Sequence, residues 1–312
     1  MKKRNIVIGA YVGGKGFKCA AIDMESKSIV DGSLVVGKMD KDAGNRHIIP
    51  LWSLKLKTSM RAVDADEVLG IGFSIPGPFD YEKGIGDYRG VPKYESLHGC
   101  DISEELKKRV LPEGNLEFRY INDGIGFALG QDWVASGKNS RGISLIIDEG
   151  LGSAFLMNNL PVFKGRGVPE DGATYKVPFR NGIADDFFSI RGLIAKYSEL
   201  GHKVPKFPVG AIQKSTKDQA DLDTFSSFGK DLGEFLDPIL SEFNPEYVSF
   251  GGLIGNQLQY FSSTLQKALS DDNKQVQLQT SEVGDDSFLF GAARLFQSSY
   301  WPTVQPLLAQ MD

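Results

Sequence analysis

Apolar residues fall in two patterns along the chain, short continuous runs and longer stretches at helical spacing. The run at residues 5–12 reads as a buried strand, broken by Gly13-Gly14-Lys15-Gly16. Residues 17–22 and 29–36 read as two further strands with polar turn residues between them. A helix is expected over 48–63, then a buried strand at 68–75 that ends at Pro76-Gly77-Pro78. Residues 101–109 read as a helix with Asp101 as N-cap. A strand at 116–121 runs into Asn122-Asp123, and small and apolar residues continue it as a helix through 134.

The second half repeats this grammar. Strands at 143–147 and 154–157 flank the turn Glu149-Gly150-Leu151-Gly152. Helices are expected at 185–200 and 221–243, a strand at 247–250 before Gly251-Gly252, and a helix at 254–269. A strand at 276–280 and a helix near 286–297 follow. Two halves that each open on a strand–glycine turn–strand hairpin and continue into strand–helix units imply a duplicated α/β architecture. With 312 residues, more than one core usually organises, two domains are expected, with a border near residue 123.

Composition narrows the function classes. The net charge of -5 and the lack of a long basic run disfavour binding to nucleic acid through its phosphates. Cys19 and Cys100, the only cysteines, lie in no CxxC and beside no histidine pair, which excludes a disulfide framework or a cysteine-rich metal site. The basic Met1 to Arg4 lead straight into a strand-like run too short for a signal sequence. No stretch approaches the roughly 20 apolar residues of a membrane span. A reduced cytoplasmic protein without membrane partners is the expectation.

The glycine turns around Gly13 and around Gly150 and Gly152 expose backbone N–H groups that can hold phosphate oxygens, and Lys15 and Lys18 add charge to the first. Either turn alone is equally well a structural hairpin. Asp123 ends a strand and opens a helix, at the edge where ligands of open α/β sheets gather. An ionised carboxylate there can accept a hydroxyl proton during phosphoryl transfer; the competing role is a plain helix N-cap. Asn122 can both donate to and accept from a polyhydroxylated ligand. The Gly77 turn would shape a cleft wall, and Gly251-Gly252 permits close approach of a ligand or a backbone.

In order and spacing these pieces resemble the ROK family of bacterial sugar kinases and related repressors. The resemblance implies an α/β, two-domain actin-like ATPase (ribonuclease H-like) fold. It implies a smaller domain over 1–122 with about 296–312, and a larger one over 123–295 holding the second phosphate loop. Gly13-Gly14 is similar to the first phosphate loop, residues 71–78 to the strand and Pro-Gly-Pro turn, and Asn122-Asp123 to the sugar-binding Asn and catalytic Asp. Gly150-Leu151-Gly152 resembles the second phosphate loop, Glu170 with Gly172 a segment that holds sugar hydroxyls, residues 244–252 the adenosine side, and Gly291-Ala292-Ala293 the closing helix.

The resemblance has departures. Tyr11 stands where the family carries an Asp that positions magnesium and water, and Glu149 where the second loop carries a Thr. A carboxylate about 4 Å from a phosphate oxygen costs on the order of 1–4 kcal/mol unless a metal ion lies between them. Glu149, with Asp148, is therefore expected to replace the missing metal-side acid. Ala173 occupies the family's zinc-site histidine position and the cysteine cluster is missing, so no zinc is expected and one usual hexose contact is lost. Lys93 stands where the family often carries a sugar-contacting Asn. The resemblance thus implies a glucokinase-like transferase using ATP and Mg²⁺ on a hexose or amino sugar. Asp123 would be the base, Asn122, Glu170 and Gly77 would line the sugar side, and Gly13, Gly14, Lys15, Gly150, Gly152, Gly251 and Gly252 the nucleotide side. A homodimer is compatible with it. The alternative is a catalytically impaired sugar or nucleotide sensor. A repressor is not expected, because Met1 to Arg4 leave no room for a DNA-binding domain before the first strand.

Overall fold

The computed structural model of the chain describes residues 3–13, 16–38, 43–91, 94–111, 116–135, 141–204, 206, 208–214 and 217–311. Gly14, Lys15 and Lys93, singled out above, lie outside the described residues. The chain forms two compact units, Met1–Gly137 with Asp286–Asp312, and Lys138–Asp285.

The first unit is built on a six-stranded sheet in the order Ser28–Ile29, Gly16–Asp23, Ile6–Gly13, Val68–Ile75, Glu117–Asn122, with Val35–Gly37 also pairing with Gly16–Asp23. Ile6–Gly13 runs antiparallel to Gly16–Asp23 and parallel to Val68–Ile75, which is parallel to Glu117–Asn122. An interior strand covered on both faces has no solvent side, which is why Ile6–Gly13 is almost wholly apolar and buried. Helix Asn45–Met60 contributes Trp52 and Leu56, both fully buried. The Trp52 ring lies 5.6 Å from Phe17 and 6.1 Å from Phe73. The expected strand at 29–36 is instead two short ones, Ser28–Ile29 and Val35–Gly37, separated by a turn at Asp31-Gly32.

Helix Ser287–Arg294 returns to this unit and lies backbone-close on the sheet. A Cβ at Gly9 would stand 2.3 Å from the Leu289 carbonyl oxygen, and one at Gly72 2.1 Å from that of Ala292. The same helix packs on Asp123–Val134, where a Cβ at Gly130 would meet the Ser287 oxygen at 1.9 Å and one at Gly291 the Gly126 oxygen at 1.8 Å. Arg294 Nη1 donates to the Leu129 carbonyl at 3.0 Å and to Asp132 Oδ2 at 2.9 Å, all within the interior. Both helices therefore belong to the first unit. The division falls after residues 137 and 285, whereas the halves of the sequence placed a border near 123.

The second unit carries a five-stranded sheet in the order Leu160–Val162, Leu151–Met157, Arg141–Ile147, Tyr247–Gly251, Gln277–Thr280. Helix Gln219–Phe243 starts at a capping box, in which the Asp218 side chain accepts from Asp221 N–H and Asp221 from Asp218 N–H. It ends at Asn244 in the left-handed region, just before Pro245. Its buried face joins Phe225, Phe228, Phe235 and Phe243 to Phe188, Phe250 and Phe261 in one aromatic core. The expected helix at 185–200 is broken into Ala184–Phe187 and Ile190–Glu199, because Ser189 caps the second piece by accepting from Gly192 N–H. The expected helix at 254–269 is likewise divided, into Gly252–Gly255 and Ser262–Ala268. Among the described residues no helix is long and apolar enough to cross a membrane.

The backbone contact at Gly291 makes a direct prediction. Gly291→Ala lowers the unfolding free energy by about 1–3 kcal/mol, since the added methyl has only backbone to displace. Urea unfolding measures this, and a change within about 0.5 kcal/mol would contradict the close packing of the two helices.

Candidate active site

Asn122 and Asp123 sit where the last strand of the first sheet becomes a helix. The register pairs Asn122 with Ile75, so Pro76-Gly77-Pro78 emerges beside them, with the Gly77-Pro78 bond cis. The helix cap here is Asn122: its side-chain oxygen accepts from Ile125 N–H at 3.3 Å, and its amide donates to Tyr81 Oη at 3.2 Å. Asp123 therefore does not serve as the cap, which settles that competing role. Its Oδ1 accepts from the adjacent Gly124 N–H at 2.9 Å, and the residue is part-exposed.

Tyrosines that sequence reasoning did not single out hold the main chain around this carboxylate. Tyr81 Oη donates to the Ile75 carbonyl at 3.1 Å, Tyr88 Oη to that of Pro76 at 2.8 Å, and Tyr94 Oη to that of Gly13 at 2.8 Å. Burial, and then the negative charge of Asp123, push the Tyr88 hydroxyl well above its ordinary pKa, so Tyr88 remains a neutral donor. The main chain beside Asp123 is consequently held by the hydroxyls of buried tyrosines. Only a tyrosine count between residues 81 and 94 hinted at it, since each partner carbonyl is fixed by tertiary packing.

The first glycine hairpin differs from a bare phosphate cradle. Tyr11 stacks on Phe288, with centroids 3.9 Å apart and planes 13° from parallel. A Cβ at Gly13 would stand 2.2 Å from Tyr11 Oη, so the absence of a side chain at Gly13 makes room for the Tyr11 ring. Lys18, paired with Tyr11 across the hairpin, forms an ion pair with Asp286.

The second unit gathers Asp148, Glu149, Gly150 and Gly152 in the hairpin between Arg141–Ile147 and Leu151–Met157. Gly251 and Gly252 stand beside it, since Gly251 pairs with Ile146. Gly252 has φ +77°, and a Cβ there would meet the Ile147 oxygen at 2.7 Å, so both its conformation and its space exclude a side chain. Asp148 Oδ2 accepts from Leu253 N–H at 3.2 Å, while its carbonyl accepts from Ile190 N–H at 2.8 Å. Asp185, read from sequence only as part of a helix, sends its Oδ1 to Leu151 N–H at 2.6 Å and pairs with Arg191. The Glu170 segment is tied to the hairpin strand through Ser153, whose hydroxyl donates to the Gly172 carbonyl at 2.6 Å and accepts from Thr174 N–H at 3.0 Å. Glu170 itself is exposed.

Among the described residues no group of three or more histidine, cysteine or acidic side chains stands ready to hold a metal ion. Magnesium accompanying a nucleotide needs fewer protein ligands, often one or two carboxylates with phosphates and waters. Of the two acids expected to supply them, Asp148 accepts from Leu253 N–H through Oδ2, and Glu149 is exposed at the hairpin tip. A carboxylate that accepts one N–H keeps lone pairs for a cation, so both acids fit that role.

A family model described as the ROK family matches residues 7–299. No curated protein matches the chain. Among solved structures, the chain is similar to a ROK family glucokinase from Streptomyces griseus in complex with glucose and AMPPNP, at 17% identity and TM-score 0.71, over 93% of this chain and 98% of that one. It is also similar to a ROK hexokinase from Thermus thermophilus, at 18% identity and TM-score 0.68, over 92% and 96%. A ROK family transcriptional regulator, a homologue of the Escherichia coli Mlc protein, matches at 13% identity and TM-score 0.73, over 98% and 81%. At these identities the likeness is one of fold.

The capping geometry separates two neighbouring residues. Asn122→Ala is expected to lower stability by about 0.5–2 kcal/mol, because a cap is lost, and Asp123→Ala by clearly less; equal losses in urea unfolding would return Asp123 to a capping role. Gly13→Ala is expected to destabilise the wild type but much less a Tyr11→Ala background. A double-mutant cycle should show coupling of roughly 0.5–3 kcal/mol, and strict additivity would remove the Tyr11–Gly13 contact.

Proposed function

The chain belongs to the ROK family, and from that premise we propose that it is an ATP-dependent kinase of a hexose or amino sugar, with Asp123 as general base. The observation that carries this reading is the division of labour at the strand end. Asn122 caps the helix, so the Asp123 carboxylate is spared that task beside the Gly77 turn. The helix N-terminus favours its charged form, suited to take a proton from a sugar hydroxyl.

Tyr81 and Tyr88 clamp the Ile75 and Pro76 carbonyls and so hold the turn beside Asp123 in place. Asn122 and Glu170 are the polar residues assigned to the sugar hydroxyls. The second hairpin, with Gly150 and Gly152, and the Gly251-Gly252 turn are assigned to the nucleotide. Bound magnesium would neutralise phosphate charge in this acidic protein, with Asp148 and Glu149 as the acids assigned to it. Several of the similar solved structures are named as sugar kinases, which supports the transferase reading.

A second reading, a sugar or nucleotide sensor on the same fold, is favoured by one particular feature. The first hairpin carries the Tyr11–Phe288 stack where the family places a metal-side acid. A coupled ADP-release screen across hexoses and N-acetylated hexosamines separates the two. Turnover is expected with at least one sugar and is expected to fall about 10²–10⁴-fold in Asp123→Asn. Turnover that survives this substitution removes Asp123 as the base, and nucleotide-dependent thermal stabilisation with no turnover favours the sensor.

A further inference from the structure

The second hairpin already holds an oxyanion, and the chain supplies it. Asp185 Oδ1 accepts from Leu151 N–H at 2.6 Å, a charge-assisted bond to a main-chain donor. The glycine at 150 permits this approach, since a Cβ there would come within 3.1 Å of the same carboxylate oxygen. Behind it stands Arg191, which pairs with Asp185 and reaches Asp186 at 3.3 Å while its side chain stays 55% exposed. These acids hold the guanidinium's pKa above its ordinary value. The segment is strapped down at a second point, where Ile190 N–H donates to the Asp148 carbonyl at 2.8 Å.

We propose that the Asp185 carboxylate holds the place of a phosphate oxygen at this hairpin, and that Arg191 is the cation that meets the phosphate when Asp185 leaves the Leu151 N–H. This rests on the reading of the hairpin as a nucleotide-phosphate site and adds two residues to it. A carboxylate and a phosphate cannot share one N–H donor, and their like charges oppose each other at short range. Nucleotide binding therefore exchanges one anion for another. Arg191 changes partner from a monoanionic carboxylate to a phosphate, which its planar fork also suits. Asp186 offers the guanidinium a second carboxylate at 3.3 Å, so Asp185 can withdraw without stranding the charge.

A purely structural clamp would use the same contacts, and the charge of Asp185 distinguishes the two. Asp185→Asn keeps an oxygen that can accept from Leu151 N–H but removes the competing charge. Calorimetric titration of the full chain with AMPPNP in magnesium-free buffer is expected to show roughly tenfold tighter binding for Asp185→Asn and roughly tenfold weaker binding for Arg191→Gln. Thermal unfolding in the same buffer identifies which variants are folded. Wild-type affinity in both folded variants would overturn the proposal while leaving the kinase reading intact. Weaker binding in Asp185→Asn, confined to magnesium-containing buffer, would make Asp185 a metal ligand and equally overturn it. If neither wild type nor Asp185→Asn binds AMPPNP in either buffer, both the nucleotide reading and this inference fall. If only Asp185→Asn binds, the exchange of anions is supported and the wild-type chain is self-blocked.

Discussion

The backbone contact between helices Asp123–Val134 and Ser287–Arg294 is the constraint on which the first unit depends. Gly130 and Gly291 let the two helices approach until main chain meets main chain, and Gly9 and Gly72 let the second helix settle onto the sheet in the same way. Contacts of this kind tolerate no added atom, because neither side has a rotamer to adjust. Arg294 then locks the pair by binding the Leu129 carbonyl and Asp132 in the interior. The helix that begins with Asp123 is thus held along its length by a segment more than 150 residues away in sequence, and the position of the carboxylate follows from that anchorage.

The surroundings of the two glycine hairpins show how the chain handles donor groups and space. In the first, an aromatic stack of Tyr11 on Phe288 fills the volume next to Gly13, and Lys18 is matched by Asp286. In the second, Asp148 and Asp185 accept the main-chain N–H groups of Leu253 and Leu151. Backbone donors left without partners away from water are costly, so each needs an acceptor. An internal carboxylate satisfies that need.

Much of the fold was legible in the amino-acid sequence because its signals are local. The apolar runs at 68–75 and 247–250, the capping residue Asp101 and the long amphipathic stretch ending at Asn244 each announce their element through periodicity or through a few neighbouring residues. The strand-to-helix junction at Asn122-Asp123 was legible for the same reason, and so was the pairing of two hairpin-led halves. Breaks within elements were not: Ser189 stops one helix and starts the next only because its side chain turns back to Gly192.

What tertiary structure alone decided is which distant residues come together and which contacts each makes. Asn122 rather than Asp123 became the cap, and Gly13 proved to be space for a tyrosine ring. Tyr81, Tyr88 and Tyr94 found carbonyl partners 6 to 81 positions away in sequence. Asp185 came to rest on the N–H of Leu151, 34 residues before it. The sequence by itself determined the elements and the family pattern, since backbone propensity and burial period act over a few residues. Hydrogen bonds and close contacts act over a few ångströms in space, and only the folded chain fixes which distant residues come that near.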